Sequence, residues 1–198
     1  FFGAHGRQGA EAALRELGEK RYAHPDVGRT GEAAAFSPAD LKNRVWVTRR
    51  GVHVDRIACA WLIRRFVDPH ASFKFVDGRS YTPDAGELRF DMADAEFTHE
   101  QDRCSFETIV RRARLEDDPA LVAIGEIIHD LDIADGKFGR SETPCLGAML
   151  AGVCASTDDD LKRIANASDA LDGFYTHFTL GSPLDRQSAQ RVRPSVEG

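Results

Sequence analysis

The chain has 198 residues, of which 42% are hydrophobic and 29% are charged, and these proportions exclude a disordered protein. Its formal net charge of −6 argues against a strongly basic nucleic-acid-binding protein, so any site for an anion has to be local. The apolar runs fall short of the ~20 residues that a membrane span needs, and no leader peptide is seen, so we expect a cytoplasmic protein that does not bind membranes.

Three regions are predicted along the chain. Residues 1–40 should form a helix over 9–21 and then a linker, because helix-forming residues give way to two prolines and two glycines. Residues 41–180 should form the main domain, and residues 181–198 a flexible C-terminal tail. The first residue is phenylalanine rather than methionine, so we expect the chain to lack part of a longer parent protein.

The main domain should contain few strands and many helices. Alternating apolar residues predict strands, and apolar stripes at a spacing of about 3.6 residues predict helices. The predicted strands are 44–49, 72–77 and 95–99, and the predicted helices are 55–66, 104–115, 119–131, 143–154 and 157–178. The fold class is therefore α+β and predominantly α-helical, with several helices packed on a small sheet of short strands.

The stretch "WVTRRGVHVDRIACAWLIRRF" (residues 46–66) contains five arginines and one carboxylate. Asp55 is predicted to cap the helix that begins there, and the free N–H groups of that helix start also favour an anion. The neighbouring arginines predict an oxyanion pocket, unless they form ordinary surface ion pairs with the abundant acidic residues. The candidates for oxyanion binding are Arg49, Arg50, Arg56 and Arg65.

A second polar segment, "EFTHEQDRCSFE" (residues 96–107), contains candidate metal ligands. His99 and Glu107 supply an imidazole and a carboxylate, and Asp102 is expected to support them. The alternative is a solvated acidic turn that carries a surface histidine, because motifs of this kind often occur by chance.

A third segment, "GEIIHDLDIAD" (residues 125–135), places His129 and Asp132 near the end of a predicted helix. Glu126 and His129 have the Glu-x-x-His spacing of helical metal sites, and they are predicted to lie with Asp130 on the flank opposite the buried stripe. Glu126 and Asp130 are assigned supporting roles. A single copy of this spacing is weak evidence by itself.

Two imidazoles and two carboxylates form the predicted metal set, which suits iron, manganese or zinc rather than a soft thiolate-binding metal. The set consists of His99, Glu107, His129 and Asp132. We expect both histidines to reach one metal ion, with either carboxylate facing the same point and Arg56 lining the opening. No nucleotide cofactor is expected.

The four cysteines are scattered without a C-x-x-C pair, so neither a zinc ribbon nor a disulfide framework is predicted. Cys104 lies beside Arg103 at a predicted helix start, where a lowered pKa would make its thiol redox-active. The alternative is a buried and inert thiol.

Three blocks of the sequence together resemble the C-terminal domain of the ChrB family of chromate-resistance proteins. The resemblance spans about residues 44–178, and the opening "FFGAHGRQGAEAALREL" resembles the tail of that family's N-terminal region. The three blocks are "WVTRRGVHVDRIACAWLIRRFVDPHASFKFVD", "FDMADAEFTHEQDRCSFETIV" and "IGEIIHDLDIADGKF".

The resemblance implies a protein encoded with a chromate efflux transporter, whose full-length relatives act as chromate-responsive regulators. Because the N-terminal region linked to transcriptional control is mostly missing, DNA binding is not expected of this chain. Two functions stay open. One is an oxyanion-responsive sensor or regulatory module that binds chromate or another tetrahedral oxyanion. The other is a metal-dependent enzyme that reduces chromate or hydrolyses a substrate as a phosphohydrolase does. The sequence also leaves open whether the protein forms a homodimer.

Overall fold

The structure is a computed structural model, and it describes residues 36–78 and 81–181. The helix predicted over 9–21, most of the predicted linker and residues 182–198 of the predicted tail lie outside the described residues. All described residues belong to one compact unit.

A three-stranded parallel sheet lies at the start of the fold, in the order β2-β1-β3. The central strand is β1 (Val45–Arg49), which pairs with β2 (Ser72–Val76) and β3 (Leu88–Arg89). Trp46, Val47 and Thr48 in the central strand are completely buried, as expected for a strand covered on both faces. The two longer strands confirm their predictions.

Five helices follow from the apolar stripes of the described sequence. They are α1 (Val54–Leu62), α2 (Ser105–Arg112), α3 (Pro119–Asp132), α4 (Thr143–Ser156) and α5 (Asp160–Leu180). A π-helical turn, Ile63–Val67, continues α1 and leads back to β2. The predicted α+β class with mostly helical content is confirmed, because these helices pack against the small sheet.

The third strand was predicted in the wrong place. Residues 95–99 contribute only an isolated bridge between Phe97 and Phe90, and the third strand is the two-residue β3. Phe97 instead fills the core, where its ring lies 5.2 Å from that of Trp46. Its apolar side chain produced the alternating pattern, but its backbone forms this single bridge rather than a strand.

Helix α1 lies at the centre of the fold, since it packs against all four other helices. Every residue from Ile57 to Ile63 is buried, which confirms the core-facing stripe predicted for this helix. Trp61 also donates a hydrogen bond from Nε1 to Asp172 Oδ1 of α5, at 3.0 Å. The polar residues at the start of α1 therefore belong to a helix that the core surrounds.

Two buried or half-buried carboxylates fix the ends of β1. Asp68 accepts hydrogen bonds from the backbone N–H groups of Asn43 and Arg44, both at 2.9 Å, and from Trp46 Nε1 at 3.3 Å. At the other end, Asp160 accepts from the N–H groups of Gly51 and Val52, at 3.0 and 2.7 Å. The loop between β1 and α1 is thereby tied to the first turn of α5.

In the described part of the chain, no helix is both long enough and apolar enough to cross a membrane.

Candidate functional site

Asp55 does not cap its own helix, so that prediction was wrong. The residue before α1 is His53, and Asp55 lies within the first turn. Its carboxylate accepts hydrogen bonds from the backbone N–H groups of Ser105 and Phe106, at 3.0 and 3.1 Å. Asp55 therefore caps α2, which begins fifty residues later, and joins the starts of two helices inside the core.

His99 lies just before α2 and points its Nε2 atom at three carboxylates. The distance from Nε2 is 3.1 Å to Asp132 Oδ2, 3.8 Å to Asp55 Oδ2 and 3.7 Å to Asp91 Oδ1. Among the described residues, one set of three potential metal ligands has all its donor atoms within 4.8 Å of one another. This set, named the His99 triad below, consists of Asp55, His99 and Asp132.

Burial and the crowding of these charges change two pKa values. Burial, followed by the charges of Asp132 and Asp91, raises the pKa of Asp55 to about 8. Burial disfavours the imidazolium of His99, but its hydrogen bond to Asp132 and the nearby carboxylates outweigh burial and raise its pKa to about 8. The site therefore favours a positive charge at its centre, which a bound cation can supply in place of protons.

Asp91 joins the His99 triad to two of the predicted oxyanion ligands. Its Oδ2 atom lies 3.2 Å from Arg56 Nε and 3.5 Å from Arg49 Nη2. Arg56 also donates from Nη1 to the backbone carbonyls of Arg49 and Arg50, at 3.1 and 3.2 Å. The two residues Arg49 and Arg56, named the arginine pair below, therefore already face an internal anion.

The other two predicted oxyanion ligands have different surroundings. Arg50 is exposed, and its contacts with Arg56 and Val76 involve its backbone carbonyl and its backbone N–H group. Arg65 pairs with Asp172 of α5, at 3.4 Å from Nε to Oδ1. The structure thus brings Arg49 and Arg56 together and gives Arg65 a separate partner.

Glu107 and His129 contact each other across the α2–α3 interface. Glu107 Oε2 lies 2.7 Å from His129 Nδ1, and the same oxygen accepts from the N–H group of Cys104 at 2.9 Å. These two members of the predicted metal set lie outside the His99 triad.

His129 is completely buried, so its predicted position on the flank opposite the core was wrong. Its Nε2 atom lies 3.3 Å from Asp135 Oδ2, and its ring meets that of Phe138 edge to face, 5.0 Å between centroids. Helix α3 is buried nearly all round, so a single apolar stripe could not reveal this position. His129 therefore bridges α2 and the loop that follows α3.

The residues predicted to support the site mostly hold this same loop. Asp130 accepts from the N–H groups of Phe138 and Gly139, at 3.1 and 2.6 Å. Glu126 pairs with Arg140, and Asp102 accepts from Lys137 Nζ at 2.8 Å. Their contacts hold residues 137–140 against α3 and, through Asp102, against the segment before α2.

Cys104 is completely buried, and burial raises the pKa of its thiol far above the usual range, with the charge of Asp55 adding to the effect. The predicted lowering of this pKa by Arg103 was therefore wrong. Cys59 is also buried with a raised pKa, and its Sγ lies 3.3 Å from Asp55 Oδ1. Neither thiol has the exposed, ionised character that a redox cysteine needs.

Two donor distances in the His99 triad are close to those around a small divalent ion, and all three donor atoms lie within 4.8 Å of one another. In a tetrahedral site with bonds of about 2.0–2.2 Å, donor atoms are roughly 3.3–3.6 Å apart. The His99–Asp132 and His99–Asp55 distances of 3.1 and 3.8 Å bracket this value. Asp55 is already oriented by two backbone N–H groups, which is how outer contacts commonly position a metal ligand. One nitrogen and two carboxylate oxygens suit iron, manganese or zinc.

Asp91 belongs to the site but was not predicted from the sequence. It follows the short β3 and lies in a segment without periodicity, so no motif marked it. Its left-handed backbone, with φ of 46°, is a feature that only the structure reveals.

Comparison with known proteins gives an independent result. The family model for the ChrB C-terminal domain matches residues 46–178. The chain belongs to the ChrB C-terminal-domain family. The curated Protein ChrB of Cupriavidus metallidurans is 39% identical over 159 residues, which cover 80% of this chain and 48% of that relative. The chain therefore spans about half the length of this relative. The range matched by the family model, residues 46–178, contains the positions of the His99 triad and the arginine pair. No solved structure matches significantly.

Proposed function

We propose that the protein acts in chromate resistance as an oxyanion-responsive regulatory module with a metal site at the His99 triad. Membership of the ChrB family supports the chromate-resistance role. The observation that supports the metal site is the convergence of three donor atoms within 4.8 Å, on residues from three separate parts of the fold. Asp55, His99 and Asp132 would hold iron, manganese or zinc.

The arginine pair lies next to this site, and Asp91 lies between them: its carboxylate is close to both arginines and to His99 of the triad. Guanidinium groups donate paired hydrogen bonds to tetrahedral dianions such as chromate and sulfate. A bound divalent ion would add positive charge to the same region, which favours an anion further. The two parts together support a site that responds to both a metal and an oxyanion.

A regulatory role is favoured over thiol-based chromate reduction. Chromate oxidises reactive thiols, but Cys59 and Cys104, the thiols near the site, are buried and have raised pKa values. Binding rather than electron transfer from these cysteines is therefore the chemistry that the side chains support.

One observation favours a metal-dependent enzyme as the second candidate. The His99 triad supplies three protein ligands, and catalytic zinc sites commonly have three protein ligands with one position left for water or substrate. The metal would there polarise a bound oxyanion. Metal-loaded protein should be assayed for hydrolysis of phosphate esters and for loss of chromate with an added reductant. Multiple turnovers would favour the enzyme, and binding without turnover the regulatory module.

Titration calorimetry with Zn²⁺, Mn²⁺ and Fe²⁺ tests the metal site. We expect one ion per chain in the wild type and a loss of affinity of about a hundredfold or more in His99→Ala, because removing a ligand costs more than removing an outer contact. His70→Ala is the matched control, since His70 is exposed and contacts Asp68 through its backbone N–H group. Equal affinities in wild type and His99→Ala, or no binding in the wild type, would refute the proposed site.

A further inference from the structure

Asp91 contacts both halves of the proposed site with different oxygen atoms. Its Oδ2 atom faces the arginine pair, at 3.2 Å from Arg56 and 3.5 Å from Arg49. Its Oδ1 atom accepts a hydrogen bond from Ser105 Oγ at 3.1 Å and lies 3.7 Å from His99 Nε2. One carboxylate thus stands between two groups that attract it.

The backbone holds Asp91 in an unusual conformation. Its φ of 46° is left-handed, which few residues other than glycine adopt, although aspartate and asparagine tolerate it best. The Asp91 N–H donates to Phe97 O at 2.9 Å, and Phe90 and Phe97 on either side of this turn are buried in the core. The main chain is therefore fixed, and the side chain is the part of the residue that can change its partner.

The carboxylate cannot neutralise the arginine pair and coordinate a metal ion equally well. Asp91 is not among the three described residues whose donor atoms all lie within 4.8 Å of one another, and its Oδ1 atom is hydrogen-bonded to Ser105, so its carboxylate has to turn to become a ligand. Turning toward a metal draws Oδ2 away from the guanidinium groups. A dianion bound to those groups would in turn take over the place of Oδ2.

We propose that Asp91 couples metal and oxyanion binding by exchanging partners. In the metal-free protein its carboxylate occupies the arginine pair. When the His99 triad holds a divalent ion, Asp91 becomes an additional ligand and leaves the arginine pair to a tetrahedral dianion. This inference rests on the proposed metal site. By linkage, each ligand then raises the affinity for the other by the same factor.

Sulfate is the probe of choice, because it is a tetrahedral dianion like chromate but does not oxidise thiols. Its affinity is measured by titration calorimetry with and without saturating Zn²⁺ in wild type, Asp91→Asn and Asp94→Asn. Asparagine tolerates the left-handed backbone, so Asp91→Asn removes the charge with little strain. Asp94, which is exposed and also left-handed with φ of 56°, provides the matched control.

We expect Zn²⁺ to raise sulfate affinity about tenfold in the wild type and in Asp94→Asn, within the usual range of coupling between sites. Metal-free Asp91→Asn should bind sulfate more tightly than the metal-free wild type, and most of the enhancement by Zn²⁺ should be lost. A merely structural role for Asp91 would instead weaken sulfate binding in both states.

Three outcomes overturn the inference. Zn²⁺ could bind the wild type without changing sulfate affinity, which leaves the proposed metal site intact and removes the coupling. The enhancement could be equal in wild type and Asp91→Asn, which excludes Asp91 as its cause. Absence of Zn²⁺ binding in the wild type would overturn the proposed metal site and the coupling together.

Discussion

The contact between Asp160 and the loop before α1 should contribute strongly to stability. Its carboxylate accepts two backbone hydrogen bonds, from Gly51 at 3.0 Å and from Val52 at 2.7 Å. Hydrogen bonds to a charged group contribute about 1.5–3 kcal/mol each. Because Asp160 is only half-buried, water compensates for part of the loss, and Asp160→Ala should lower the free energy of unfolding by about 2–3 kcal/mol.

Thermal and urea unfolding measure this effect. For a chain of this length, the expected loss corresponds to a fall in Tm of roughly 4–12 °C. Asp169→Ala is the control, since Asp169 is exposed on the same helix, α5, and should change stability by less than about 0.5 kcal/mol. Equal stabilities of the two variants would show that the carboxylate does not hold the loop.

The same variant tests whether this loop can bind an oxyanion at all. Asp160 occupies the two N–H groups that follow β1, so its removal exposes a small anion site of the kind found at helix starts. Sulfate should therefore restore more stability to Asp160→Ala than to Asp169→Ala. Both variants gain from the general stabilising effect of sulfate, so the difference between them is the result that matters. An equal gain would refute the anion site.

Two further predictions concern buried groups. Asp68→Ala should cost about 3 kcal/mol, because Asp68 is buried and accepts four N–H groups, from Asn43, Arg44, Trp46 and His70. Burial opposes the charge of Asp68, but these donors outweigh burial and lower its pKa. The stabilising effect of the carboxylate is therefore present above its unfolded pKa of about 3.9 and is lost as pH falls through the lower folded pKa. The free energies of unfolding of wild type and Asp68→Ala should thus converge in acid, and a difference that stays constant with pH would contradict this account. Iodoacetamide should label the exposed Cys145 and leave the buried Cys104 unlabelled in the folded protein, and mass spectrometry showing Cys104 labelled first would refute its assignment as inert.

The helices could be predicted because their apolar residues recur at helical spacing in the local sequence. Helix α1 has its apolar residues at regular spacing, and Pro119 and Pro144 mark the starts of α3 and α4, as expected of proline in a first turn. Strand β3 has only two residues, which is too short for an alternating pattern. Local sequence thus predicts those helices and strands that are long enough to show a periodic pattern of apolar residues.

The site was only partly predictable, because its contacts join distant segments. His99 and Asp132 were singled out by residue type, and the structure places their side chains 3.1 Å apart. Asp55 was expected to cap its own helix, but its carboxylate caps α2 instead. The local sequence around an aspartate looks the same whether it caps its own helix or a helix that is distant in the chain. Asp91 depends on a turn between β3 and Phe97, which no short motif encodes.

X-ray absorption spectroscopy of the protein with one equivalent of Zn²⁺ would show directly whether the His99 triad binds a metal through nitrogen and oxygen ligands. The spectrum should show ligands at about 2.0–2.2 Å with the multiple-scattering features of one imidazole, and these imidazole features should disappear in His99→Ala. Zinc–sulfur scattering at about 2.3 Å would place the ion on a cysteine instead. That result, or an imidazole signal that survives in His99→Ala, would contradict the account.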